Sequence, residues 1–169
     1  MPIFKKPIDI KLFEELAHDN DRAVAIVGAT IVEYSLGRAM LSHMVKLSNT
    51  AKDRVFKGRG PLASLSAKIE VSYCFGLIGP KTREDLNRIK DIRNQFAHSE
   101  RAGLDFNDDV ISGYCQSMFL IDNFGYPLHW PLPTDRTSPR SRFLHTISLV
   151  SSQLEGAVIS TEMPTAIRT

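Results

Sequence analysis

The sequence predicts an all-α fold: a single-domain bundle of about six helices around one long central helix. Two observations predict it. Apolar residues recur at three- and four-residue spacing in segment after segment, and strand-like alternation never lasts more than a few residues. One stretch, Ala23 to Val45, is apolar over most of its helical circumference, as a helix enclosed by others must be. The chain has 169 residues, 43% of them hydrophobic and 24% charged, which suits one domain with one core and excludes a disordered chain.

The first helix is expected from Asp9 to His18, with Ile10, Phe13, Leu16 and Ala17 on one face. Asp19, Asn20 and Asp21 then offer side-chain oxygens to cap a second helix from Arg22 to Leu47. Its apolar circumference suits a central or a dimer-forming helix, and Gly28, Ala29, Gly37 and Ala39 let other backbones approach. Glu33, Arg38 and His43 interrupt this stretch, and a charge at mid-bilayer costs at least about 2.5 kcal/mol, so no membrane span is expected. Glu33 lies among apolar turns and needs a cationic partner, which the spacing places on another helix.

Residues 49 to 60 read as a polar loop with at most a helical turn. Its Lys52, Arg54, Lys57 and Arg59 could contact phosphates, or be an ordinary solvated loop around Asp53. Pro61 is placed to open a third helix, Leu62 to Leu77, which Gly79-Pro80 stops. A fourth helix, Lys81 to His98, carries the stripe Leu86, Ile89, Ile92, Phe96, with Asp85 and Arg88 read as solvated charges. After a loop from Ser99 to Asn107, a fifth helix runs from Asp108 to Phe119.

Between Asp122 and Pro139 four prolines forbid a regular helix, and Phe124, Tyr126 and Trp130 suggest a loop packed on the body, or a small-ligand sensor. The last helix is expected over Ser138 to Leu154, with a polar tail from 155 to 169. Arg136, Arg140 and Arg142 form a second small basic cluster. Cys74 and Cys115 belong to no metal-ligand spacing and read as two buried thiols. No metal, cofactor or secretory signal is expected, and the cytoplasm is the default compartment.

One run could carry chemistry: Arg93-Asn94-Gln95-Phe96-Ala97-His98. Asn94 and His98 share a helix face, with Arg93 turned by about 100°. An arginine to hold a phosphate, an amide, and a histidine to move a proton are what metal-free RNA cleavage needs. Equally, Arg93 and His98 are ordinary residues for a helix C-terminus, and Arg93 could pair with Glu33 or Glu70.

The long apolar helix with its internal Glu33, then Gly60-Pro61-Leu62-Ala63-Ser64-Leu65-Ser66-Ala67-Lys68-Ile69, Tyr73-Cys74-Phe75-Gly76-Leu77-Ile78 and Asp85 to His98, resembles the bacterial mannitol operon repressor family over about residues 19–109. That resemblance implies an all-helical fold and a role in transcriptional repression. The Arg93-to-His98 run is also similar to the Arg-x4-His signature of HEPN domains, which implies Arg93, Asn94 and His98 as catalytic residues of a ribonuclease or toxin. Many HEPN proteins pair at this motif, and some are binding modules only. No helix-turn-helix pattern is present, so direct sequence-specific DNA binding is not expected. The two readings are a helical, dimeric regulator working through a protein partner, and an RNA-cleaving homodimer.

Overall fold

The computed structural model describes residues 11–101, 103–124 and 135–162. Among them every regular element is a helix: α1 (Lys11–Ala17), α2 (Asp21–Ser42), α3 (Asn49–Phe56), α4 (Leu65–Cys74), α5 (Pro80–His98), α6 (Asp109–Gln116), α7 (Leu120–Asn123) and α8 (Pro139–Glu162). The two beyond the expected six are the short α3 and α7. Asp9, Tyr126, Trp130 and the end of the tail lie outside the described residues; Phe124 is exposed.

Asn20 caps α2, its side chain accepting from the Ala23 N–H at 3.0 Å. The helix ends at Ser42, not Leu47. His43 follows as its C-cap, and Ser48 is committed to capping α3, accepting from the Ala51 N–H. α2 is the one described helix long and apolar enough to cross a bilayer, with mean hydropathy 1.4, yet 61% of that window is buried. It is the core helix, enclosed by α8, α5 and α4.

α8 is its largest neighbour. Every residue from Ser141 to Val150 is buried, including Arg142, His145, Thr146 and Ser148. The chain therefore has two central helices, and α8 runs well past the expected end at Leu154. They meet at Gly28, where a Cβ would stand 2.8 Å from Ile147 Cδ1 and 2.9 Å from Phe143 Cε1. Phe143 continues into a row of rings with Phe106 and Phe96, centroids 5.2 Å apart at each step, which ties α8 to the loop after α5 and to α5 itself.

Residues 49–56 form a helix where a loop was expected, because Ser48 caps it and its Phe56 is buried. Phe56 joins Met40 and Leu62 in a second, smaller apolar cluster, edged by Leu41, Met44, Val55, Val71 and Leu77. Leu62 belongs to that cluster, so α4 starts later than expected, capped by Ser64 rather than opened by Pro61. Gly60 passes so close under α3 that a Cβ would lie 2.4 Å from the Arg54 carbonyl oxygen and 2.5 Å from that of Val55. α5 follows the expected bounds closely, with Pro80 in its first turn and Leu86, Ile89, Ile92 and Phe96 buried.

The expected fifth helix ends at Gln116 rather than Phe119, and the separate α7 starts at Leu120, where Asp85 meets the chain. The Asp85 side chain is fully buried, not solvated. It accepts from the Phe119 N–H at 3.0 Å, the Leu120 N–H at 2.8 Å and Arg88 Nη1 at 2.8 Å. The carboxylate thus caps α7 from across the bundle. Arg142 of α8 closes the same junction: Nε donates to the Cys115 carbonyl at 2.9 Å, Nη2 to that of Met118 at 3.1 Å, and its fork grips Asp122 at 2.9 and 2.7 Å.

Candidate functional site

The Arg93–His98 run occupies the C-terminal two turns of α5. The inward row, Ile92 and Phe96, is buried; Arg93 and His98 are exposed and Asn94 is half-buried. The carbonyls at this helix end are met by Arg22 of α2, which donates to Phe96 O at 2.7 Å, Ser99 O at 3.2 Å and Arg101 O at 3.4 Å. Arg22 thus does the capping that sequence reasoning gave to Arg93 and His98.

Asn94 and His98 line an open cleft of about 590 Å³ with Ser99, Arg101, Asp108 and Asp109. Arg93 is not among the lining residues; its Nη1 donates to Asn94 Oδ1 at 3.1 Å. Among the described residues no hydrogen bond joins His98 to either of them. Arg101 Nη1 meets Asp108 Oδ2 at 3.2 Å, so the cation on the far wall is already neutralised. The cleft can offer an imidazole and an amide to a polar ligand, but two carboxylates share its wall.

The other proposed residues lie elsewhere. Glu33 finds its cation on another helix, as its surroundings require: Lys68 Nζ of α4, at 2.5 Å, with Lys68 almost fully buried. Glu70 pairs with Arg83 of α5, whose guanidinium also stacks 4.6 Å from the Tyr73 ring and is held strongly protonated by the Glu70 hydrogen bond. Neither carboxylate reaches Arg93. Arg54, Lys57 and Arg59 are exposed and Lys52 is half-buried, on and just after α3, with Lys57 paired to Asp53 at 3.1 Å. The cluster Arg136, Arg140, Arg142 is dispersed: Arg140 binds Asp21 and the Ala17 carbonyl, Arg142 is buried, and Arg136 is exposed.

Of the two thiols expected to be buried, Cys115 is and Cys74 is not. Cys115 is buried and desolvation pushes its thiol up to about 12, against an opposing pull from Arg142. Cys74, at the end of α4, is exposed, because its helix turns Leu65, Lys68, Ile69 and Ser72 inward instead.

The fold and these surfaces define an all-helical bundle with a polar cleft and, among the described residues, no cluster of side chains able to hold a metal ion. The chain belongs to the mannitol repressor family, whose model matches residues 42–167. The match runs through α8, well beyond the 19–109 stretch that carries the visible motifs, and starts only at the end of α2. The fold is shared with a chain of the X-ray structure of the MtlR-HPr complex from Escherichia coli, with a TM-score of 0.65 and 20% identity over 86% of this chain and 97% of that one. Among curated proteins none matches the sequence.

Proposed function

We propose that this chain is a cytoplasmic bacterial transcriptional regulator that acts as a homodimeric helical interaction module, through a protein partner rather than by reading DNA itself. Membership of the mannitol repressor family carries the reading. The solved neighbour forms a complex with HPr, and we take HPr, or a protein shaped like it, as the partner here. In support, α6 and α7 hold no cation, and the one cation of α4, Lys68, is buried; the short basic α3 follows the long α2 rather than a short partner helix. In this reading the dimer contact lies outside α2, most of which packs against α8, α5 and α4. Calorimetric titration with HPr and footprinting on mannitol-operon promoter DNA test this. Saturable HPr binding with no footprint from the chain alone is expected. A nanomolar footprint without any partner would overturn it.

A second reading has one observation in its favour: Asn94 and His98 share a cleft that is open to solvent. In it the chain is a HEPN-type, metal-independent ribonuclease with Arg93, Asn94 and His98 as its catalytic set, completed by a second protomer. Cleavage of structured or single-stranded RNA in EDTA by the wild type, lost in a folded His98→Ala variant, is the outcome it requires; RNA left intact by both proteins sinks it.

A further inference from the structure

The small cluster of Met40, Phe56 and Leu62 is closed by α3 on one side and open on another. The open side is a groove of about 210 Å³ lined by Met40, His43, Met44, Val71, Phe75 and Leu77. Phe75 stands 78% exposed at its edge, and nearby in the chain Val45 is 81% exposed. A large aromatic left in water beside a methionine-lined groove marks a surface made to be covered, since methionine adapts to the shape of what enters.

Charge says what covers it. From His43 to Ser64 the chain carries Lys46, Lys52, Arg54, Lys57 and Arg59 against Asp53 alone, five cations less one anion, so this stretch is +4 in a chain of +2 overall. The remainder is therefore −2. α3, which bears Lys52 and Arg54 and is followed directly by Lys57 and Arg59, packs on the same cluster from which the groove opens. A symmetric contact between two copies of this chain would set +4 against +4 across the axis, which disfavours a second copy as occupant.

We propose that this groove docks an acidic amphipathic helix of a protein partner, its apolar side chains entering between α2 and α4 and its carboxylates meeting the cations of and around α3. The inference rests on the partner-binding reading above and deepens it. Helix-in-groove recognition needs an apolar trough with a charged margin, and both are present.

The probe is a fluorescein-labelled synthetic helix with leucines at i, i+3, i+4 and i+7 and glutamates on its other face, beside a twin with lysines for glutamates. Anisotropy titrations of the full chain should show the glutamate helix binding at least about tenfold more tightly than the lysine twin. Phe75→Ser, at a position 78% exposed, should leave the melting curve in place and weaken binding about tenfold or more. Arg54→Glu with Lys57→Glu should reverse the preference between the twins. Equal affinity for both helices, or full affinity in folded Phe75→Ser, overturns the proposal. So does binding of anionic vesicles or single-stranded RNA with neither helix bound, or a wild-type dimer that Phe75→Ser dissociates. HPr titrated into wild type separates the two ideas. HPr bound with neither helix bound defeats the groove alone; a Phe75-dependent glutamate helix bound with HPr unbound defeats the HPr assignment alone.

Discussion

Two buried charged side chains decide how the second half of the chain folds. Asp85 accepts from two main-chain N–H groups and from Arg88, both of its oxygens engaged and none of its surface exposed. Asp85→Ala strands both N–H groups and should cost about 3 kcal/mol. For a chain of this size that lowers Tm by roughly 6–12 °C in calorimetry. A loss below about 1 kcal/mol would show that α7 needs no cap from α5. The sequence does contain the signal: Asp85 stands four and seven residues before Ile89 and Ile92, in the row that faces inward, and was read as solvated only because it is charged. The thiols offer a simpler check. Cys115, held protonated by burial, should not react with a disulfide reagent until the protein unfolds, while exposed Cys74 should react at once. One thiol titrated in the native state and two in denaturant is the expected count; two in the native state would contradict the burial of Cys115.

Elements were legible where the apolar row was long and its ends were marked. α5 has both, a proline at its start and a stripe through Phe96, and α2 has an Asn cap. α3 was not legible, because its eight residues hold a single buried side chain and its polar composition matches a loop. α8 was legible as a helix from Ser138 to Leu154, but its run to Glu162 and its central place were not: its polar residues Arg142, His145, Thr146 and Ser148 are all buried, so the polar composition of its first half hides that it is enclosed. Its fit to α2 depends on Gly28. There an alanine gains about 1 kcal/mol of helix propensity yet meets Ile147 and Phe143, so Gly28→Ala should change stability by less than about 1 kcal/mol. Gly28→Val lacks room for two further methyl groups and should lose about 2–3 kcal/mol by denaturant melts. The joint between α7 and α8 should respond to pH. The hydrogen bond from Arg142 holds the Asp122 carboxyl below the usual carboxylate range. A pKa depressed in the folded state means the unfolded chain binds the proton more readily. The stabilisation is therefore complete above the ordinary carboxylate value of about 4 and is lost as pH falls through the depressed one. Since the Asp122 side chain is 55% exposed the effect is modest. Tm of wild type should fall more steeply than that of Asp122→Asn as pH drops from about 5 to about 2; parallel curves would remove this clamp from the account.

At the scale of the molecule, the visible motifs and the folding unit are different things. The resemblance that the sequence displays ends near residue 109, at the start of α6, because its motifs are turn glycines, prolines and polar residues of recognisable spacing. The candidate site was legible to the same extent: Asn94 and His98 were placed on one face, but the cleft they line is completed by Arg101 and Asp108 from a loop with no motif at all. What makes the bundle stable lies further on. Phe143, Leu144, Ile147, Leu149, Val150, Leu154 and Val158 of α8 are all buried. Burying such a side chain is worth about 1.5–3 kcal/mol, so α8 contributes on the order of 10–20 kcal/mol against a net stability that is ordinarily about 5–15 kcal/mol. A chain ending at Ser138 would keep every residue of the Arg93–His98 run and the whole groove at Phe75. It should nonetheless lose its cooperative melt and bind a hydrophobic dye, because one flank of α2, with Gly28 at its centre, would face water. A sharp calorimetric transition in that truncated chain would mean that α2, α4 and α5 make a core by themselves. The family match through residue 167 would then reflect something other than folding.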